Sequence, residues 1–168
     1  QIKVGHVEAG LRTGDKWQPF PEEVNRKIAA TSADLHFAPT EWSRQNLLRE
    51  NVPAENIVVT GNSVIDALLW AAGKPFELES LGIPALRDEQ TRLITVTAHR
   101  RENHGEPLED ICKALRQLAE HYGEGLQIVY PVHLNPNVQE PVHRLLADIP
   151  NITLLAPLDY LPLVNLLK

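Results

Sequence analysis

Glu8 and Glu22 stand on either side of a glycine-bearing loop, Gly10 to Pro21, and a pair of carboxylates so placed suits general acid–base work. Farther along, His99-Arg100-Arg101-Glu102-Asn103-His104-Gly105 puts an imidazole and two guanidinium groups between strand-like residues and a helix start. Free backbone N–H groups and the helix dipole already favour an anion at such a place. A third group, Pro131-Val132-His133-Leu134-Asn135-Pro136-Asn137, adds another imidazole. Spacing alone leaves plainer readings open. Glu8 would be a loop carboxylate, Glu22 a first-turn helix charge, Arg100 and its neighbours a solvated loop, and His133 a satisfied loop histidine. His6, inside a short strand, reads as structural, and Cys112, on an apolar helix face, as core. No Gly-rich phosphate loop, GxGxxG or HExxH pattern is present, so neither a dinucleotide cofactor nor a zinc site is inferred.

The elements that must hold these groups alternate between strand and helix. Ile2–Val7 reads as a strand; Pro21-Glu22-Glu23 opens a helix to about Ser32, its carboxylates at the positive dipole end. Leu35–Ala38 is a strand, Thr40 caps a helix from Glu41 to about Glu50, and Ile57–Thr60 is a strand ended by Gly61-Asn62. Ser63 is expected to cap a helix with Val64, Ile65, Leu68, Leu69 and Ala72 on one apolar face. Gly73 to Gln90, broken by proline and glycine and without a period, is the best linker candidate. Then follow a strand at Arg92–Ala98, a helix marked by Leu108, Ile111, Cys112, Leu115 and Ala119, and a strand at Gln127–Pro131. A helix over Asn137–Ala147, a strand at Ile152–Leu155 and a last helix opened by Asp159 complete the pattern. This alternation predicts α/β architecture, Rossmann-like parallel sheets with helices on both faces. Ligands bind beyond the carboxyl ends of such strands, and all three candidate groups follow strands at that edge.

Hydrophobic residues make up 43% and charged residues 23%, enough to build an ordinary folded core. A net charge of -6 and a pI near 5.6 argue against nucleic acid as a partner, while leaving room for an anionic small ligand held by a few local cations. The single cysteine excludes an internal disulfide and a CxxC metal site and suits a reducing cytosol. No apolar run reaches the length of a membrane span and the first residues show no signal-peptide pattern, so no membrane partner is expected. The chain has no methionine, opens inside strand-like residues and stops in an uncapped apolar helical pattern, so a piece of a longer protein is expected.

Five blocks carry a resemblance. They are Gly5-His6-Val7-Glu8-Ala9-Gly10-Leu11-Arg12-Thr13-Gly14-Asp15, Pro21-Glu22-Glu23-Val24-Asn25-Arg26, Gly61-Asn62-Ser63-Val64-Ile65-Asp66, His99-Arg100-Arg101-Glu102-Asn103 and Pro131-Val132-His133-Leu134-Asn135-Pro136. In order and spacing they resemble the signature blocks of bacterial non-hydrolysing UDP-N-acetylglucosamine 2-epimerases. The resemblance implies a two-domain arrangement like that of GT-B glycosyltransferases, incomplete at both ends. Residues 1–62 would be the C-terminal part of a first Rossmann-like domain, 63–90 a hinge helix and linker, and 91–168 the N-terminal part of a second. It implies cytoplasmic interconversion of UDP-GlcNAc and UDP-ManNAc without a cofactor, by anti elimination of UDP and re-addition, in a homodimer that supplies ManNAc-type sugars for cell-surface polysaccharide. By resemblance Glu8 and Glu22 take acid/base roles. Glu8, His99 and Arg100 touch substrate, with His99 by the diphosphate or leaving oxygen. Arg100 and His133 match positions that in some relatives hold a second, activating UDP-GlcNAc. The family's opening strand and Gly-Thr-Arg-Pro-Glu-type loop, a catalytic aspartate upstream of Gly5, and the later Ser-Gly-Gly-type loop with its glutamate have no counterpart here, so these 168 residues alone are expected to be inactive. The rival readings are a GT-B-type glycosyltransferase with a UDP-sugar donor, an epimerase of a related nucleotide sugar, and a non-catalytic nucleotide-sugar-binding module.

Overall fold

Helices of eight or more residues between successive strands force crossover connections, and both sheets of the protein are accordingly parallel. The computed structural model describes residues 2–83 and 91–168. They divide into two compact units, Gln1–Leu69 and Trp70–Lys168.

The first unit runs β1 (Gly5–Val7), α1 (Glu22–Ser32), β2 (Leu35–Ala38), α2 (Glu41–Arg49) and β3 (Ile57–Val59), followed by most of α3 (Ser63–Ala72). Its sheet has the order β1-β2-β3, with His6 opposite His36 and His36 opposite Ile57. β1 is shorter than the expected Ile2–Val7. The Asp34 carboxylate accepts the Val4 N–H and the Lys3 ammonium, so the Val4 amide is withdrawn from the ladder while its carbonyl still accepts the Asp34 and Leu35 N–H groups. Small or slim residues (Ala9, Ala30, Ala38, Leu47 and Ile57) form the buried cluster under α1 and α2, while Val7 and Val58 are exposed. Thr40 caps α2 as expected, its Oγ1 accepting the Ser43 N–H at 3.1 Å.

The start of α3 differs from expectation. Ser63 is the first helical residue, and Asn62 caps, its Oδ1 accepting the Val64 N–H at 3.1 Å. Val64, Ile65, Leu68 and Leu69, from the expected apolar face, are exposed, and Ala71 is the buried residue of the helix. Periodicity shows which face is apolar; what covers it is a separate matter.

The second unit contains β4 (Arg92–Thr95), α4 (Glu106–Tyr122), β5 (Leu126–Pro131), α5 (Pro136–Leu146), β6 (Ile152–Leu155) and α6 (Tyr160–Leu167), in sheet order β4-β5-β6. β5 is central and buried over Leu126–Tyr130, as a parallel strand covered on both faces must be. Ile128 and Tyr130 pack with Leu108, Cys112 and Leu115 of α4 and with Val138, Val142 and Leu146 of α5. Val129, pointing the other way, packs with Leu166 of α6 and with Ile83. Part of the expected linker is therefore packed structure: Leu78–Leu81 forms a 3-10 turn and Ile83 is buried, while residues 84–90 lie outside the described residues. Among the described residues no helix is long and apolar enough to cross a membrane.

Candidate functional site

Glu8 follows the last residue of β1 and adopts φ 62, a left-handed conformation that a glutamate takes only under constraint. The constraint is visible on both sides. The Ala9 N–H returns to the Phe37 carbonyl of β2 at 2.9 Å, and Asn62 donates its side-chain amide to Glu8 Oε1 at 2.8 Å. Asn62, beyond β3, thus caps α3 with its oxygen and orients Glu8 with its nitrogen.

The loop after Glu8 is fastened at three points. Asn46 Nδ2 donates to the Gly10 carbonyl at 2.9 Å in a buried contact. Arg12 makes two hydrogen bonds to the Glu50 carboxylate, at 2.8 and 2.7 Å. The N–H groups of Thr13 and Gly14 both donate to Glu23 Oε1, at 3.1 and 3.2 Å. Glu23 is fully buried, and Arg26 meets its other oxygen at 3.3 Å. Burial by itself would raise the Glu23 carboxyl. The Gly14 and Thr13 amides, the Arg26 hydrogen bond and the Arg12 charge outweigh it and hold the group below the usual carboxylate range. Glu22, the neighbouring residue, opens α1 and is exposed.

In the second unit the loops after β4 and β5 meet at their histidines. The His99 and His133 rings stack with centroids 5.2 Å apart and planes 9° apart. The Asn135 N–H donates to His133 Nδ1 at 3.1 Å, which leaves Nε2 to carry the proton of the neutral ring. β4 stops at Thr95 rather than Ala98. The Val96 N–H still bonds the Val129 carbonyl, but the next donor in a parallel register is Pro131, which has no N–H. The chain leaves the ladder there, and the Tyr130 hydroxyl donates to the Ala98 carbonyl at 2.6 Å, fixing the residue before His99. A 3-10 turn, Arg101–Asn103, separates His99 and Arg100 from α4, so neither lies in that helix's first turn. Arg100 is exposed, with Glu102 at 3.8 Å, a distance and exposure at which pairing holds the guanidinium only weakly. Two stacked imidazoles with a loosely held guanidinium beside them can donate hydrogen bonds to a multiply charged oxyanion.

The five expected residues therefore fall into two groups: Glu8 and Glu22 in the first unit, His99, Arg100 and His133 in the second. Sequence reasoning missed Glu23 and Asn62 as parts of the site. Glu23 was visible only as a helix-start carboxylate, and no local signal marks it as buried. His6 and Cys112 lie where their structural readings put them. His6 is partly buried against His36, with ring centroids 6.2 Å apart, and Cys112 is buried in the second core. Among the described residues no group of three or more His, Cys, Asp or Glu could hold a metal ion.

The family model for UDP-N-acetylglucosamine 2-epimerase matches residues 1–168. The chain belongs to this epimerase family. A UDP-N-acetylglucosamine 2-epimerase of Salmonella typhimurium is 52% identical over 173 residues, covering 100% of this chain and 46% of the relative. One from Yersinia pestis is 54% identical with the same coverages. The crystal structure of the Neisseria meningitidis UDP-GlcNAc 2-epimerase bound to UDP-GlcNAc matches with a TM-score of 0.85 and 43% identity, over 98% of this chain and 45% of that one. The chain thus spans about half the length of the epimerases it matches.

Proposed function

We propose that the full-length protein interconverts UDP-GlcNAc and UDP-ManNAc by epimerisation at C2, through elimination of UDP and its re-addition to the other face. The observation that carries this reading is Glu8, a carboxylate held at a left-handed φ just beyond a parallel strand and aimed by Asn62. Strain of this kind persists where the surroundings over-determine it, and it clusters at active sites. Glu8 and Glu22 are proposed as the groups that move protons at the sugar. His99 would stabilise the departing diphosphate, with Arg100 beside it. Arg100 and His133 would also serve a second, activating UDP-GlcNAc. The N. meningitidis relative bound to UDP-GlcNAc supports the choice of substrate. The same reading takes residues 1–62 and 91–168 as parts of two Rossmann-like domains joined through 63–90, in a cytoplasmic homodimer supplying ManNAc-type sugars.

The test is incorporation of solvent deuterium at C2 of UDP-GlcNAc by the full-length protein. Incorporation that falls at least about tenfold in Glu8→Gln or Glu22→Gln, with UDP binding retained, is the expected result. A His99→Ala variant should lose turnover by about tenfold or more with the fold intact. Absence of exchange in the unaltered protein refutes the epimerase reading, and undiminished exchange in both Gln variants removes these carboxylates from it.

A further inference from the structure

We infer that Glu23 is a positioning residue for the reaction, setting where Glu22 stands relative to the loop that begins at Glu8. The inference rests on the acid/base reading of Glu22 given above. Glu23 is the one carboxylate of α1's first turn that points inward, and it is completely buried although its neighbour Glu22 is exposed. Its Oε1 accepts two successive backbone N–H groups, those of Thr13 and Gly14, which lie ten and nine residues earlier in the chain. One oxygen therefore ties the first turn of α1, and with it Glu22, to the middle of the loop. Asn46 of α2 and Glu50, the residue that ends it, hold that same loop at Gly10 and Arg12. Without the Glu23 clamp the segment from Gly14 to Pro21 loses its only side-chain tie from α1 among the described residues and keeps the backbone bonds of the Glu23 and Asn25 N–H groups to Pro19 and Pro21, so Glu22 is indexed to Glu8 less tightly. Arg26, on the opposite oxygen, holds the carboxylate in its rotamer.

Two substitutions in the full-length protein separate reach from charge. Glu23→Asp keeps the charge and shortens the side chain by one methylene, so it reaches the two amides only by pulling the turn toward α1. Glu23→Gln keeps the reach and an oxygen acceptor but gives up the charge facing Arg26. Misplacement of a reacting group by about 1 Å can cost on the order of a hundredfold, so Glu23→Asp is expected to lower kcat by about tenfold to a hundredfold. The KM for UDP-GlcNAc should stay within about twofold, because the carboxylate is fully buried beneath the loop. Glu23→Gln should retain kcat within about threefold while melting at a lower temperature, since the ion pair with Arg26 is lost. The reverse order, with Gln impaired and Asp normal, overturns the inference in favour of a charge effect. Wild-type kcat in a folded Glu23→Asp variant overturns it in favour of a purely structural role. Glu22→Gln run in parallel keeps the two readings apart: if it turns over normally the acid/base assignment falls, whereas an impaired Glu22→Gln beside a normal Glu23→Asp removes only the positioning role.

Discussion

Replacing Gly10 by alanine should unfasten the loop behind Glu8, and the cost can be worked from the geometry. Gly10 has φ +85, where an L side chain costs about 1–2 kcal/mol in backbone strain. An added Cβ would fall on the Ser43 carbonyl oxygen, closer than real Cβ atoms approach, and 2.8 Å from the Ser43 carbonyl carbon. Both atoms belong to the backbone of α2 and cannot rotate aside. Restoring an ordinary carbon–oxygen separation of about 3.3 Å shifts the helix or the loop by about 1 Å. That shift breaks the buried Asn46–Gly10 hydrogen bond, and leaving such a pair unsatisfied costs about 1–3 kcal/mol. The expected destabilisation is about 2–5 kcal/mol, a large part of the roughly 5–15 kcal/mol typical of a folded domain. Gly14 is the control: its φ is +82 but nothing lies within 4 Å of an added Cβ, so its alanine variant should lose only the backbone strain. Urea unfolding of the two full-length variants measures the difference. A Gly10→Ala variant no less stable than Gly14→Ala would refute the claim that the Gly10–Ser43 approach is what packs this loop on α2.

Two further outcomes follow from buried titratable groups. Burial, then the His36 and Arg12 charges, lowers His6 below its ordinary value of 6.5, opposed by Glu8; burial and Arg12 lower His36, opposed by its bond to the Ala33 backbone. The unfolded chain therefore takes up protons that the folded one refuses, so stability should be complete above about pH 6.5 and fall on acidification, with a second loss below about pH 4.5 as Glu23 and Glu50 protonate. Urea midpoints across this range check it, and a midpoint independent of pH between about 7 and 5 would refute the histidine contribution. Burial and the nearby Glu109 push the Cys112 thiol up to about 11, so the native protein should resist thiol reagents near neutral pH and react fully once unfolded; rapid labelling of the native state would contradict its place in the core.

The order of strands and helices and the parallel sheets were legible in the chain, because period and punctuation are local properties, and the same punctuation marked Glu8, Glu22, His99, Arg100 and His133 as candidates. A carboxylate after a strand or a proline before a helix declares itself within a few residues. Three things were decided only by tertiary structure. The fate of the apolar stripe on α3 depends on what packs against it, and in the structure it lies exposed. The end of β4 depends on a proline in the neighbouring strand, thirty-five residues beyond Val96, whose missing N–H stops the ladder. The choice between Glu22 and Glu23, adjacent and identical in type, depends on which one the helix turns inward. Sequence presents two equal carboxylates; a difference of about 100° around the helix axis sends one to solvent and the other onto the amides of Thr13 and Gly14.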